Sequence, residues 1–269
     1  MDGYNARLEV DIPYLQPHSA CKVCGEQASL YGVVDFTKTC AQELKLAPVG
    51  VPVYYYQCSH CQFLFTRAFD KWTVGDFNRH IYNKNYQVFD PDSLEIRPSS
   101  FYVFFQEVLS KHRGRIRGLD YGGGNGLLSR LMVDKGYDFS TWDPMEAEQT
   151  IPEGKFNLIS AIEVAEHVPD PHTFFTAIDR YLSQDGLCFF TTAVQDSADI
   201  EDLMAWWYVA PINGHISLYS HKAIEHLCAQ YGLRGHISGG RHFLYREPTP
   251  LLDEFINTIL SHEEASHSS

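Results

Sequence analysis

A run of glycines, set between a strand-like apolar stretch and a helical pattern, constrains this chain more than any other feature. The stretch is GLDYGGGNGLLSRLM, residues 118–132. Ile116, Leu119 and Tyr121 supply strand character before the glycines. Leu127, Leu128, Leu131 and Met132 recur at helical spacing after them. Strand, glycine turn and helix in succession form the opening unit of a doubly wound α/β sheet, with backbone free to approach a nucleotide-like ligand at the turn.

The spacing narrows the ligand. A nicotinamide dinucleotide site calls for G-x-G-x-x-G. Here Gly122, Gly124 and Gly126 alternate, with Asp120 two residues before the first, giving D-x-G-x-G-x-G. That is the spacing of S-adenosylmethionine sites, which have no pyrophosphate to place on the helix N-terminus. YDFSTWDPM (137–145) reads as a short strand ending in Asp143, 19 residues after Gly124. An acid at that strand end can accept hydrogen bonds from both ribose hydroxyls.

Further elements alternate in the same way. Residues 155–171, KFNLISAIEVAEHVPDP, hold a buried strand (156–161) and an acidic turn, and the helix HTFFTAIDRYL follows. DGLCFFTTAV (185–194) reads as another strand, and GLRGHISGGRHFLYREP as two strands joined at Gly239–Gly240. The expected fold is therefore α/β, a Rossmann-like, mostly parallel sheet closed by an antiparallel C-terminal hairpin. Only twelve residues separate Asp143 from Phe156, too few for a helix and a strand, so one edge strand is expected to be missing. The stretch after Asp143, including Met145, is expected to cover the adenine pocket.

Four of the seven cysteines form two C-x-x-C pairs, Cys21 with Cys24 and Cys58 with Cys61. Two such knuckles can give four thiolates to one tetrahedral, structural zinc. Gly25 suits a knuckle turn that needs positive φ. His60 and Cys40 are read as non-ligands. The chain is expected to divide into a zinc-binding lobe (1–78), a connector (79–96), a catalytic domain (97–260) and a disordered polar tail (261–269).

On LDYGGGNG, WDP, NLISAIEVAEHVPDP and GLCFFTTA, residues 97–248 resemble class I S-adenosylmethionine-dependent methyltransferases. With the cysteine pairs in front, the whole chain resembles a subfamily with an N-terminal zinc lobe, which includes C-methyltransferases of nucleotide-linked deoxysugars. The resemblance implies cofactor contacts at Asp120, Gly122, Gly124 and Asp143, with Gly126 completing the turn. It also implies tyrosines near the cofactor at the lobe junction, here Tyr82 and Tyr86; interdomain packing accounts for them equally.

Candidates for the chemistry lie after the central strands. EVAEH offers Glu163, Glu166 and His167. Many methyltransferases carry such a turn simply to shape the cofactor pocket. The sharper alternative is a metal site of Glu163, Glu166, His167 and His215, resembling that of small-RNA 2′-O-methyltransferases. WWYVAPINGHISLYSHKAIEHL (206–227) is expected to cross the pocket mouth. In it His215 would act as general base and Tyr219 would stabilise an enolate, with Trp206, Trp207 and Tyr208 stacking on substrate and Ser220 capping the next helix. Packing of His215 against the tryptophans is the plainer reading. Arg241 and Arg246 are the cations expected to meet a diphosphate.

The 269 residues carry a formal charge of −13, with 21 basic against 34 acidic side chains. Such a surface argues against a phosphate-backbone partner. The N-terminus lacks an apolar signal region, and no run reaches the ~18 residues of a membrane span, so a cytoplasmic location is expected. The expected partner is a small polar molecule, a sugar nucleotide or saccharide precursor methylated on carbon or oxygen, without nucleic acid or membrane. The rivals are metal-assisted RNA methylation and a non-catalytic cofactor-binding protein. Oligomeric state is not legible.

Overall fold

The computed structural model describes residues 16–146, 149–150, 152–197 and 201–267. The signal-peptide reading falls on residues 1–15, outside the described residues. The chain opens with β1 (His18–Ala20), β2 (Gln27–Asp35), β3 (Pro52–Cys58) and β4 (Leu64–Thr66), an antiparallel meander. The chain then forms α1 (Val74–His80), α2 (Tyr86–Phe89) and the longer α3 (Ile96–Leu109). A capping box starts α1: the Thr73 hydroxyl accepts from the Asp76 amide, and the Asp76 carboxylate accepts from the Thr73 amide.

The rest alternates as the sequence leads one to expect: β5 (Arg117–Tyr121), α4 (Leu127–Asp134), β6 (Asp138–Trp142), β7 (Phe156–Ile162), α5 (Pro171–Tyr181) and β8 (Leu182–Thr191). A two-residue strand, β9 (Ser217–Leu218), precedes α6 (His221–Gln230), β10 (Arg234–Ser238), β11 (Arg241–Tyr245) and α7 (Pro250–His267). The main sheet has the order β10-β11-β8-β7-β5-β6. Its four strands from β8 to β6 are parallel, and β11 and β10 add an antiparallel edge. Gly239 and Gly240, at φ 52° and 83°, make the hairpin turn with the positive angles it requires. The strand β6, which leads to Asp143, forms the other edge, as the short link to Phe156 implied.

Side chains of β8 alternate between two cores. Leu187 and Phe189 join Phe104, Phe105, Met132 and Phe255 from α3, α4 and α7. Cys188 and Phe190 join Phe174, Phe175, Ile178, Ile224 and Leu227 from α5 and α6. Each fully buried ring contributes about 1.5–3 kcal/mol. Helix α5 starts at Asp170, whose side chain accepts from the His172 amide, with Pro171 in the first turn. At Gly118 a side chain would collide with the Phe139 ring, so glycine lets β6 lie close against β5.

Two features depart from expectation. The segment after β8 does not simply cross a cavity: β9 pairs antiparallel with β4, Leu64 opposite Leu218 and Phe65 opposite Ser217. The N-terminal sheet is thus five-stranded, β1-β2-β3-β4-β9, and takes its last strand from far along the chain. Helix α7 runs to His267, so residues 261–267 are helical where a disordered tail was expected. Ser268 and Ser269 lie outside the described residues. Among the described residues no helix is long and apolar enough to cross a membrane.

Buried histidines make this fold sensitive to acid. His242 on β11 is fully buried, and its Nε2 donates to the Thr192 carbonyl at 2.9 Å. Burial pushes its pKa down to about 4 from 6.5. A depressed pKa gives stability that is present above pH 6.5 and lost as pH falls toward 4, up to about 3 kcal/mol for this one group. Denaturant midpoints at pH 7.5 and pH 5 should therefore differ, and His242→Gln should show a smaller difference. An unchanged pH slope in the variant would show that His242 does not carry the effect.

Candidate active site

The glycine turn leaves β5 at Asp120. Gly122, Gly124 and Gly126 adopt φ of 72°, 52° and 74°. A Cβ at Gly122 would collide with Val164, and one at Gly123 with the Asp120 carboxylate and the Thr141 hydroxyl. The turn is therefore pressed between the ends of β6 and β7. Asp120 is 3% exposed, and the Ser160 hydroxyl donates to its Oδ1 at 2.7 Å. Burial raises its pKa to about 7.

Asp143 faces the same turn from the end of β6. Its Oδ2 accepts from the Gly124 amide at 2.9 Å and its Oδ1 from the Met145 amide at 2.8 Å. Each carboxylate oxygen retains a lone pair for a further donor. Gln149 bridges the two segments. Its Oε1 accepts from the Asp143 amide and its Nε2 donates to the Gly124 carbonyl, both at 2.7 Å.

These groups open onto a cavity of about 590 Å³. Trp72, Phe77, Tyr82 and Tyr86, from the segment between β4 and α3, form its far wall, and Met145 lines it beside Asp143. Tyr82 and Tyr86 are thus brought to the cavity, their rings 5.1 Å apart. Arg97 and Lys84 also line it. The Arg97 guanidinium is held by a bidentate pair with Asp90, at 2.7 and 2.9 Å.

Glu163 and His167 reach the cavity from the turn after β7. Glu163 has φ 53°, rare for a residue with a side chain, and the contacts around it fix that conformation. The Thr191 hydroxyl donates to its Oε1 at 2.8 Å, and the Tyr208 hydroxyl approaches its Oε2 at 2.9 Å. The same phenol lies 2.5 Å from Glu166 Oε1. Glu166 is wholly buried, which raises its pKa well above the ordinary carboxylate range. Burial lowers His167 to about 4 and His215 to about 3, so both rings are neutral at pH 7.

Several expected site residues lie elsewhere. His215 is 6% exposed and sits behind His167, ring centroids 5.0 Å apart, outside the cavity lining. Its Nδ1 donates to the Tyr208 carbonyl at 3.0 Å. Tyr219 is buried against Phe63 and its hydroxyl donates to the Ala165 carbonyl at 3.2 Å, so it faces the core between the two sheets. Trp206 packs beneath the N-terminal sheet and Trp207 is 44% exposed, and neither lines the cavity. Arg241 lies over the Phe104 ring and Arg246 pairs with Asp179, so neither serves the cavity. Arg97, Trp72 and Gln149 were missed because isolated residues in α3, before α1 and in the link after β6 carry no motif. Ser160 had a faint signal, being the β7 residue in register with Asp120.

The four paired cysteines converge. Sγ of Cys21 and Cys61 are 3.6 Å apart, those of Cys24 and Cys58 are 3.5 Å apart, and all four lie within 4.8 Å of one another. Sulfurs tetrahedral about zinc at 2.3 Å stand about 3.8 Å apart, so the cage fits that ion. Both knuckles share one geometry. Gly25 and Gln62 have φ of 77° and 61°, and their amides donate to the carbonyls of Cys21 and Cys58. His60 and Cys40 fall outside the cluster.

Comparison with known proteins places this geometry in a family. The profile of a methyltransferase domain matches residues 100–236, half of the chain. The chain is 28% identical over 114 residues to a ubiquinone biosynthesis O-methyltransferase of Bordetella avium (strain 197N), covering 33% of this chain and 47% of that protein. It is 45% identical over 38 residues to one of Glaesserella parasuis serovar 5 (strain SH0165), 14% of this chain and 16% of that protein. The chain thus spans less than half the length of these relatives. Among solved structures it is similar to human N-acetylserotonin methyltransferase in complex with SAM, with 12% identity, 66% and 60% coverage and a TM-score of 0.46. It is also similar to magnesium protoporphyrin IX methyltransferase from Synechocystis PCC 6803, with 14% identity, 66% and 92% coverage and a TM-score of 0.40. With the family profile spanning the glycine turn, Asp143 and the EVAEH turn, the chain belongs to the class I methyltransferase family, whose methyl donor is S-adenosylmethionine.

Proposed function

We propose that this chain transfers the methyl group of S-adenosylmethionine to a small polar acceptor. The observation that carries the reading is Asp143. Its carboxylate stands at the end of β6, bonded to the Gly124 amide, beside a cavity of about 590 Å³ that Gly122, Gly123 and Gly124 also line. Ribose hydroxyls would donate to Asp143. The cationic amino group of the donor would find Asp120 at the opposite end of the turn. Tyr82 and Tyr86 close the cavity from the connector side and keep water from the sulfonium.

The displacement breaks the sulfur–methyl bond, with the electron pair left on sulfur, and joins the methyl to the acceptor, whose proton must leave. Glu163, one of the carboxylates that line the cavity, takes it in this reading. His167 beside it is a neutral imidazole, able to accept a hydrogen bond from the acceptor. His215 and Tyr208 hold this wall from behind. The finer acceptor class is a sugar nucleotide or related saccharide. Its support is the pairing of aromatic rings, Trp72, Tyr82 and Tyr86, with two cations, Lys84 and Arg97, on one wall. The −13 charge disfavours RNA as the acceptor. Cys21, Cys24, Cys58 and Cys61 hold a structural zinc in this reading, and a reducing, cytoplasmic compartment suits seven free cysteines.

Calorimetry should show S-adenosylhomocysteine binding, weakened by ~1–3 kcal/mol in Asp143→Ala. Tight NAD binding with no response to S-adenosylhomocysteine would overturn the donor assignment. Glu163→Gln should lower kcat by ~100-fold or more while donor affinity holds, and an unchanged kcat would remove Glu163 from proton transfer. Elemental analysis should find zinc in protein purified without added metal. Cys58→Ser should lose zinc and soluble yield together, because a structural ion stabilises the lobe that binds it. Zinc retained at full stoichiometry in Cys58→Ser would show that other ligands hold it.

A further inference from the structure

The residues of the glycine turn are not all fixed in the same way. A Cβ at Gly122, Gly123 or Gly126 would strike Val164, the Asp120 carboxylate or the Thr141 methyl, so packing sets these three. At Gly124, with φ 52°, a Cβ would meet nothing within 4 Å. Hydrogen bonds hold that residue instead, and both of its backbone groups are engaged. Its amide donates to Asp143 Oδ2 at 2.9 Å, and its carbonyl accepts from Gln149 Nε2 at 2.7 Å. Gln149 Oε1 accepts in turn from the Asp143 amide at 2.7 Å. Three residues thus close a ring of hydrogen bonds. A carbonyl only accepts and a backbone N–H only donates, so the ring also fixes which way the Gln149 amide points.

The position of Asp143 makes such support necessary. It follows β6, the edge of the main sheet. Trp142, the last residue of that strand, accepts from the Gly122 amide at 2.7 Å. One residue further on, the backbone amide is taken by a side chain, that of Gln149. Asp143, Pro144, Met145 and Glu146 line the cavity, and Gln149 stands behind them, outside the lining. The turn between is compact: the Glu146 amide donates to the Asp143 carbonyl and the Gln149 amide to the Glu146 carbonyl, both at 3.2 Å. From α1, Asn78 donates to the Met145 carbonyl at 3.4 Å. Gln149 meets Asp143 through the backbone, so it takes no lone pair that a ribose hydroxyl would use.

We propose that Gln149 is a positioning residue for the adenosine half of S-adenosylmethionine, locking Gly124 to Asp143 so that the ribose carboxylate and the wall of residues 144–146 are held where adenosine binds. The proposal rests on the methyl-donor reading and extends it to a residue that no motif marks. Groups ordered in advance lose less entropy on binding. An amide suits this place and an ionised carboxylate does not. In Gln149→Glu the ionised side chain would set an oxygen against the Gly124 carbonyl and a second negative charge beside Asp143. Protonated, it would again offer one donor and one acceptor, as the amide does.

Calorimetric titration of the full chain with S-adenosylhomocysteine tests the role. Gln149→Ala should weaken binding about tenfold. In the Asp143→Ala background the same change should cost no more than about twofold, because the side chain acts through that carboxylate. Gln149→Glu should bind at least about tenfold more weakly than the natural protein at pH 8, and that ratio should narrow at least about threefold at pH 5 as the carboxyl takes up a proton. A residue that only stabilised the fold would show neither the coupling nor the recovery at low pH. Gln149→Ala binding within about twofold of the natural protein would overturn the proposal. So would losses that multiply in the double variant, or a Gln149→Glu ratio that does not move with pH. Where Gln149→Ala fails to fold, the pH series on Gln149→Glu decides. A natural protein that does not bind S-adenosylhomocysteine overturns the donor reading and this role with it, whereas binding that the Gln149 variants leave intact overturns the role alone.

Discussion

The burial of one carboxylate, that of Glu166, organises the centre of this molecule. Removing such a group from water is costly unless partners surround it, and here they come from distant segments. The Tyr208 hydroxyl reaches it from the loop after β8, and His167 from its own turn. The Glu166 carbonyl accepts from the Ile216 amide at 2.9 Å, which brings His215 behind His167 and leads directly into β9. Tyr55 on β3 then donates to the His215 carbonyl at 2.9 Å. The turn after β7, the loop of residues 203–216 and the N-terminal sheet therefore form one connected arrangement.

That arrangement ties the N-terminal sheet to the main sheet, and shared apolar contacts do the same. Phe63, just before β4, and Phe65 within it share a cluster with Tyr219, Ala223 and Ile224. The Ser220 hydroxyl both caps α6, accepting from Ala223, and donates to the Cys61 carbonyl of the second knuckle. The cysteine cage is thereby tied to the helix that packs on the main sheet.

Much of this was legible in the residues. Alternating glycines and an acid at a strand end are dictated by backbone geometry and hydrogen bonding, so Gly122, Gly124, Asp120 and Asp143 stand where their spacing places them. The cysteine pairs were equally readable, because a knuckle is local. The missing edge strand followed from counting residues between Asp143 and Phe156. Side chains placed by distant pairing were not legible. Tyr219 lies near His215 in sequence, yet one rung of β9 carries it into the core while His215 faces His167. Arg97 meets Asp90 only because α3 packs where it does. Two residues of strand, Ser217 and Leu218, carry no periodic signal at all.

The β4–β9 pairing has a consequence for how the chain is made. Ribosomes release the N-terminus first, at about 5–20 residues per second. Strand β4 ends at Thr66 and its partner begins at Ser217, so 150 residues must emerge between them. For roughly 8–30 s the nascent meander carries an open edge at Leu64 and Phe65, side chains with 0% exposure once folded. During that interval its two cysteine knuckles are already outside the exit tunnel. An ion captured then would hold the lobe together co-translationally, before the strand that completes it has been synthesised.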